Sequence, residues 1–367
     1  MTPRILALMF ATTSLLPAQT RCFIGSFSDK GPGSGIFTTS LDTKTGLLGT
    51  PMLAAELAAP TFLVISPNRK IVYSVSGNPA AVNAFAIEDS GTLRLLNSRA
   101  VPGGPCQVAI SPTGKFLAAA NYGGGSFALL PLDAEGRLGE VSGLIQNSGS
   151  GPNPSRQTAP HAHSVVFNSP GTQLLSADLG IDRVVAAKIN LESGALIPEP
   201  EKDIILPPGS GPRYLTFGPD DRYLYLANEL SNTVATMFYD VDHGRSSLVE
   251  IVPTLPSDFT GKNTVAHIGF HPSGKWLYLT NRGHDSIVQF TRDEKTGKLI
   301  QPVHVASGGK NPWHFSITPD GQWMALANMG SDNIQMFRVD SATGALTAHG
   351  EPVPVKKPSC IQFVNPQ

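Results

Sequence analysis

The chain has 367 residues, and its 27 lysines and arginines nearly balance its 28 aspartates and glutamates, for a net charge of −1. Such a chain lacks the basic surface that binds nucleic acid or anionic lipid, and with only 15% charged residues it is neither a disordered chain nor a coiled coil. The 37 glycines and 31 prolines, spread along the chain, indicate many turns and therefore many short strands.

Residues 1–18 form an apolar run behind a single basic residue, Arg4. Pro17 and Ala18 then offer a small residue for cleavage before Gln19. This pattern is typical of a secretory signal peptide, and Thr and Ser interrupt a run that is already too short for a membrane-spanning helix. We expect cleavage near Ala18 and a periplasmic or secreted protein. The alternative is a cytoplasmic protein in which this segment is a strand of the core.

A strand–turn–strand unit then recurs six times. Each copy has a short apolar strand, a turn and a second apolar strand that ends near Asn or Asp. The copies span residues 62–78, 107–123, 163–180, 214–230, 267–283 and 314–330. Their turn prolines follow one another at intervals of 45, 58, 49, 53 and 47 residues. Third and fourth strands, joined by Thr-Gly or Ser-Gly turns, complete the unit. Four antiparallel strands in about 45–50 residues are the repeat of a β-propeller blade.

The two ends of the chain supply one further blade. Residues 22–49 match strands two to four of the unit and lack the first, whereas residues 359–367 match a first strand with nothing after it. Pairing these segments in one sheet would close the ring and cover its edge strands. We therefore predict an all-β fold, with a single seven-bladed propeller domain over residues 19–367 that acts as a monomer. Residues 361–364 should lie beside residues 22–27.

The cysteines, Cys22, Cys106 and Cys360, form neither a disulfide framework nor a zinc motif. Cys22 and Cys360 should share a blade, but their pairing partners are offset by about two residues, so we expect no disulfide. Cys106 has no flanking base and is interpreted as a buried small residue. His161 and His163 share a strand face, yet a metal would need a third ligand, so we predict no metal and no cofactor.

Equivalent positions of the repeat should lie at equivalent places around the propeller axis. The residue six before the turn proline, with the third blade aligned on its turn glycine, gives Thr61, Cys106, His163, Arg213, Ala266, Trp313 and Cys360. The residue after the Asn or Asp that ends the second strand gives Tyr122, Leu179, Glu229, Arg282 and Met329, with Phe27 in the split blade.

Ionisable residues stand out among these positions: His163, Arg213, Glu229 and Arg282. They lie on three consecutive blades, so we expect them to converge at one mouth of the channel. Two guanidiniums, an imidazole and a carboxylate can bind an anion and transfer a proton. The alternative is an ion-pair network with a purely structural role.

Several segments give the chain a family resemblance: PHAHSVVF (160–167), ADLGIDRV (177–184), GPRYLTFGPD (211–220), YLANELSNTV (225–234) and YLTNRGHDSI (278–287). In these it resembles the seven-bladed propeller lactonases of the bacterial 6-phosphogluconolactonase type, to which fungal carboxy-cis,cis-muconate lactonizing enzyme is related. The resemblance implies that His163, Arg213 and Glu229 are catalytic and that Arg282 binds a substrate anion. We add His161 and Arg183 as candidate substrate-binding residues. The chain departs from the family at Trp313, where Arg is frequent, and at Tyr214, where His is frequent.

Hydrolysis of a sugar lactone is acyl transfer to water, which needs a base and positive charge for the developing oxyanion. No Gly-x-Ser-x-Gly segment is present, which argues against a covalent serine route. We expect Glu229 or His163 to activate water, Arg213 to stabilise the oxyanion and Arg282 to hold an anionic group. The partner would be a small-molecule lactone or an anionic sugar acid. A muconate-type cycloisomerase and a secreted, non-enzymatic binding protein are the alternatives.

Overall fold

Short antiparallel strands account for nearly all regular structure in the computed structural model, which describes residues 19–28, 31 and 33–364. The predicted signal peptide lies outside these residues. The first strands of the chain belong to one sheet, in which β3 and β4 both pair with β2. They are β1 (Gln19–Ser26), β2 (Gly35–Asp42), β3 (Leu47–Leu48) and β4 (Met52–Glu56).

The strands that follow form blades 1 to 3, one sheet after another. Blade 1 contains β5 (Leu63–Ile65), β6 (Ile71–Gly77), β7 (Ala80–Ile87) and β8 (Leu93–Ala100). Blade 2 contains β9 (Pro105–Ile110), β10 (Phe116–Asn121), β11 (Ser126–Pro131) and β12 (Gly143–Gln146). Blade 3 contains β13 (Ala162–Phe167), β14 (Gln173–Asp178), β15 (Arg183–Ile189), β16 (Leu196–Pro198) and β17 (Ile204–Ile205). A 3₁₀ turn, Pro200–Lys202, separates β16 from β17, and both of these strands pair with β15.

Blades 4 to 6 repeat the same order. Blade 4 contains β18 (Pro212–Phe217), β19 (Tyr223–Asn228), β20 (Thr233–Asp240) and β21 (Arg245–Pro253). Blade 5 contains β22 (Thr264–Phe270), β23 (Trp276–Arg282), β24 (Ser286–Arg292) and β25 (Leu299–Ala306). Blade 6 contains β26 (Pro312–Ile317), β27 (Trp323–Asn328), β28 (Asn333–Val339) and β29 (Leu346–Pro354), with a 3₁₀ turn at Met329–Ser331.

The last strand, β30 (Pro358–Val364), pairs antiparallel with β1 and completes blade 7, with Phe23 opposite Gln362. The predicted seven-bladed propeller, closed by both ends of the chain, is confirmed. The first strands of successive blades also contact one another around the ring, which places them next to the axis. Within blade 7, Cys22 lies opposite Phe363 and Cys360 opposite Gly25, so the two thiols are not cross-strand partners.

Packing between blades explains why the second strand of each unit is so apolar. Every residue of β10, β19 and β27 is buried, because a neighbouring blade covers each face. Tyrosine hydroxyls of these second strands bond to the Gly turns of the next blade: Tyr225 donates to the carbonyl of Gly297 at 2.8 Å and Tyr278 to that of Gly344 at 2.6 Å. In blades 5 and 6 the turn glycine thus provides a carbonyl that the preceding blade binds.

A β-bulge recurs where the inner strand begins. In blade 4, Pro212 lies opposite Asn228 and Tyr214 opposite Ala227, so Arg213 is the extra residue between them. His163 and Trp313 occupy the same place in blades 3 and 6. A bulge lets two successive side chains leave the usual alternation, and Arg213 and Tyr214 both reach the channel.

The bulge also corrects one position of the sequence alignment. In blade 7, Ser26 lies opposite Pro358 and Gly25 opposite Cys360, so Ser359 is the extra residue. The alignment on Pro366 assigned this position to Cys360 and was one residue too far along the chain. The reason is that Pro366 is not followed by a second strand, because that strand of blade 7 comes from the other end of the chain. The distance from Pro366 therefore does not fix the register of β30.

Candidate active site

A cavity of about 420 Å³ opens at the rim where the inner strands begin and the second strands end. The charged residues and the one histidine of its lining come from blades 3 to 5 and the loop before blade 3: Arg156, His163, Arg213, Glu229 and Arg282. Small residues line the side of blades 1 and 2: Ala59, Gly77, Gly104, Pro105 and Gly123. One half of the cavity wall is therefore charged, and the other half is uncharged and formed largely by small residues.

Aromatic rings close the bottom of the cavity. Tyr214, His267, His314 and Phe62 come from blades 4, 5, 6 and 1, respectively. The imidazoles of His267 and His314 stack with ring centroids 3.9 Å apart, and Phe62 lies 5.7 Å from His314 and 6.1 Å from Tyr214. Because Phe62 reaches both sides of this arc, the rings span the channel and form a floor.

The floor makes the fold sensitive to acid. Burial, with the positive charge of Arg213, lowers the pKa of His314 from 6.5 to about 3, so this imidazole is neutral in the folded protein. Below about pH 6.5 the unfolded chain gains a proton that the folded chain does not, so stability falls as the pH drops from 6.5 towards 3. Each such group contributes a slope of up to about 1.4 kcal/mol per pH unit.

We expect His314→Gln to reduce this slope between pH 6.5 and pH 5, although the variant loses ring packing and is less stable at pH 7. Urea unfolding of both proteins at several pH values measures the slope directly. Equal slopes in the two proteins would show that His314 takes up a proton in the folded state as readily as in the unfolded chain.

Three guanidiniums surround the carboxylate of Glu229, which is only 3% exposed. Arg213 Nε and Arg282 Nη2 each lie 2.9 Å from Oε2, and Arg156 Nη2 donates a hydrogen bond to Oε1 at 2.7 Å. The contact of Arg213 lies off the direction of its N–H bond, so it is a close ion pair rather than a directed hydrogen bond. Both oxygens of Glu229 are therefore engaged.

These charges set the protonation state of Glu229. Burial alone would raise its pKa, but Arg282, Arg213 and Arg156 outweigh burial and lower the pKa from 4.5 to about 2. Burial and the like charge of Arg213 also lower the pKa of Arg282 to about 10. Glu229 is thus ionised at neutral pH and a weak base. It serves better to hold guanidiniums than to take a proton from water.

Backbone carbonyls of blade 5 and the ring of Trp313 hold two of these guanidiniums in place. Arg213 Nη1 donates to the carbonyl of Ala266 at 2.9 Å, and Arg282 Nη2 donates to that of Val265 at 3.1 Å. The guanidinium carbons lie 5.1 Å and 4.5 Å from the ring centroid of Trp313. Trp313, which stands where the resembled family often has Arg, therefore supports both cations by cation–π contact.

His163 lies in the same cavity, and its imidazole is neutral. Burial and the charge of Arg213 hold its pKa well below the usual 6.5. The rings of Tyr122 and Tyr214 flank it at centroid distances of 5.3 Å and 5.5 Å. A neutral, oriented imidazole beside guanidiniums can accept a proton from a bound water.

Cys106, which the sequence analysis interpreted as a buried small residue, also lines this cavity. Its Sγ lies 4.0 Å from Nδ1 of His163 and 3.2 Å from the carbonyl oxygen of the same residue. Burial raises the pKa of the thiol to about 12, so it is a protonated donor to that carbonyl and not a thiolate nucleophile.

The structure brings His163, Arg213, Glu229 and Arg282 together, whereas the two further candidates lie elsewhere. His161 is stacked behind Tyr122 at a centroid distance of 4.5 Å, with Nδ1 3.0 Å from the carbonyl oxygen of Tyr122. Arg183 lies outside the cavity lining, with Nη1 3.2 Å from Asp203 Oδ2. His161 thus supports the cavity wall from behind, and Arg183 is placed in a separate ion pair.

Sequence reasoning missed Arg156. It lies on the loop between blades 2 and 3, outside the repeat, so a comparison of equivalent positions could not reach it. One signal was present: the interval of 58 residues between Pro112 and Pro170 is the longest between successive turn prolines. The additional residues form the loop that carries Arg156 over the cavity.

No group of three or more His, Cys, Asp or Glu side chains within residues 19–28, 31 and 33–364 could hold a metal ion. The same part of the chain contains no helix that is long and apolar enough to span a membrane.

Comparisons with known proteins agree with the fold. Residues 21–363 match the family described as "Lactonase, 7-bladed beta-propeller". The chain is 32% identical to a 6-phosphogluconolactonase of Bacillus subtilis, over 80% of this chain and 83% of that protein. A solved structure from Bacteroides fragilis is 34% identical, with a TM-score of 0.86 over 97% of this chain and 100% of that one. The structure of a periplasmic gluconolactonase of Pseudomonas aeruginosa is 28% identical, with a TM-score of 0.88 over 95% of this chain and 100% of that one.

Proposed function

Because the chain belongs to the family of seven-bladed β-propeller lactonases, we propose that its cavity hydrolyses the ring ester of a sugar lactone with water as the nucleophile. The observation that carries this proposal is the combination of a neutral imidazole and three guanidiniums in one cavity. The site contains three guanidiniums and one carboxylate, so it has a net positive charge that can stabilise an oxyanion. Such preorganised charge stabilises the transition state of acyl transfer.

We propose the following roles. His163 accepts a proton from the attacking water as the new C–O bond forms at the lactone carbonyl carbon. Arg213, helped by Arg282, stabilises the negative charge on the carbonyl oxygen. The tetrahedral intermediate then collapses, the ring C–O bond breaks, and the imidazolium returns its proton to the departing ring oxygen. The products are a hydroxyl group and a carboxylic acid on one open chain, and the acid then ionises to a carboxylate and releases its proton to solvent.

Glu229 has a different role in this scheme from the one that the sequence suggested. Its low pKa and its fully engaged oxygens favour a positioning residue that holds the three arginines at the cavity. The bulge residues Arg213 and His163 approach the substrate from adjacent blades, and Glu229 keeps the guanidinium of Arg213 from moving away.

A panel of lactones tests the proposal. Acid release in a pH-stat from δ-gluconolactone, 6-phospho-δ-gluconolactone and muconolactone, with product identification by NMR, separates hydrolysis from cyclisation. We expect faster acid release than the uncatalysed rate with at least one sugar lactone. Conversion of muconolactone to a muconate without hydrolysis of either sugar lactone would favour the cycloisomerase, and no turnover at all would favour a binding protein.

We also propose that the protein is exported, with residues 1–18 as its signal peptide, and that it acts as a monomer. The apolar leader and the likeness to a periplasmic gluconolactonase support export. The closed ring supports a monomer, because β30 covers the inner edge of β1 and itself lies next to the axis beside the inner strands of the neighbouring blades. Intact mass of the native protein and light scattering in solution test the two statements. Retained residues 1–18 or a dimer mass would refute them.

A further inference from the structure

The three arginines around Glu229 differ in how firmly they are held. The side chain of Arg213 is 1% exposed and that of Arg282 10% exposed. Both bond to backbone carbonyls of blade 5 and lie against Trp313. Arg156 is 34% exposed. Its guanidinium bonds to Glu229 at 2.7 Å and lies 3.4 Å from the Tyr122 hydroxyl, and both contacts come from its Nη2.

The backbone beside Arg156 is fixed, in contrast to its side chain. Gln157 is fully buried, and its Nε2 donates to the carbonyl of Leu179 at 2.8 Å and to Asp182 Oδ1 at 2.7 Å. Its Oε1 accepts from the backbone N–H of Asn153 at 3.1 Å. The loop therefore places the Arg156 Cα at the mouth, and the long side chain can change partners without moving the loop.

Glu229 keeps two of its three ion pairs without Arg156. If Arg156 leaves, Oε2 of Glu229 keeps both Arg213 and Arg282 at 2.9 Å. Transfer of the Arg156 guanidinium from Oε1 to an oxyanion in the cavity exchanges one charge-assisted hydrogen bond for another. A planar guanidinium is also well suited to bind phosphate or carboxylate in a bidentate manner. The exchange is thus open to a ligand that brings its own negative charge.

We propose that Arg156 is a specificity-determining residue that leaves Glu229 to bind an anionic substituent of the substrate. The enzyme would thereby prefer sugar lactones that carry a phosphate or carboxylate away from the lactone carbonyl. This inference rests on the proposed lactone hydrolysis. Arg213 and Arg282 stay beside Glu229 and the reacting carbonyl. The Arg156 side chain turns from Glu229 to the anionic substituent.

Paired substrates test the inference on the full-length protein. The quantity measured is kcat/KM for 6-phospho-δ-gluconolactone divided by that for δ-gluconolactone, which differ by the phosphate. We expect Arg156→Gln to lower this ratio about tenfold to hundredfold, mainly through a higher KM for the phosphorylated lactone. Arg156→Lys should have a ratio between those of Arg156→Gln and wild type, because lysine keeps the positive charge but lacks the bidentate donor geometry of the guanidinium. Arg94→Gln, which removes an exposed arginine of a surface pair with Glu88, is the control and should leave the ratio unchanged.

Equal losses on both lactones in Arg156→Gln would overturn the inference, because they would indicate a general structural role. An unchanged ratio would overturn it as well. If the wild-type protein hydrolyses neither lactone, the proposed function fails, and binding then tests the anion site by itself. Calorimetric titration with 6-phosphogluconate should give a dissociation constant at least tenfold larger for Arg156→Gln than for wild type, and equal constants would refute the site.

Discussion

Replacing Glu229 by glutamine will reduce lactone hydrolysis at least a hundredfold and destabilise the fold by about 3–5 kcal/mol. The substitution keeps the shape of the side chain but removes the charge that three guanidiniums face at 2.7–2.9 Å. Arg213, which is 1% exposed, then keeps a buried charge without its carboxylate. Initial rates and urea unfolding at pH 7 measure the two effects. The stability difference from wild type should narrow as the pH falls from 4.5 towards 2, because the unfolded wild-type chain binds a proton at Glu229 in this range while the folded chain, with a pKa of about 2, does not.

The control for this experiment is Asp220→Asn. Asp220 forms an ion pair of 3.0 Å with Arg292 and lies in the turn of blade 4, at the opposite rim from the cavity. We expect this variant to lose some stability and to keep its turnover number. If Glu229→Gln is too unstable for rate measurements, Glu229→Asp provides the comparison, because it keeps the carboxylate on a side chain that is one methylene shorter. Wild-type stability and turnover in Glu229→Gln would contradict the role of Glu229 as the holder of the arginines.

Replacing His163 by alanine will lower kcat by about two to four orders of magnitude, the range that a general base supplies. Because burial and Arg213 hold the pKa of His163 well below 6.5, the wild-type imidazole is already deprotonated at neutral pH. We therefore expect wild-type kcat/KM to stay level between pH 6.5 and 8 and to fall only in acid. Stopped-flow or pH-stat rates, corrected for spontaneous lactone opening, provide the measurement.

His161→Asn is the matched comparison, since this imidazole lies two residues away and supports Tyr122 from behind. Its effect on kcat should be less than tenfold. A His163→Ala variant that keeps turnover within threefold of wild type would refute the assignment of the base. The ionisable cluster would then be an ion-pair network with a structural role.

The repeat made the fold predictable, and it made part of the site predictable for the same physical reason. A bulge at one position of the inner strands turns the side chains of His163, Arg213 and Trp313 into the channel, so position within the repeat indicates location in the cavity. The second-strand ends place Glu229 and Arg282 at the same rim. A position-by-position comparison could find these residues without coordinates.

What escaped prediction depends on contacts outside the repeat. Arg156 reaches Glu229 from a loop with no counterpart in other blades. The division of roles between His163 and Glu229 also required distances, because three guanidiniums at contact range make a carboxylate a weak base. The floor was likewise hidden, since stacking of His267 on His314 joins residues of two blades.

The pairing of β1 with β30 sets the order in which the ring can be finished. During synthesis β1 emerges first, yet one of its edges stays open until residues 358–364 have been made. Blades 1 to 6 can form progressively, whereas blade 7 must wait for the last strand. A chain that stalls before that point carries β1 with one unpaired edge, which is a template for aggregation and a target for proteolysis. An unfinished molecule therefore differs from a finished one by a single uncovered strand edge.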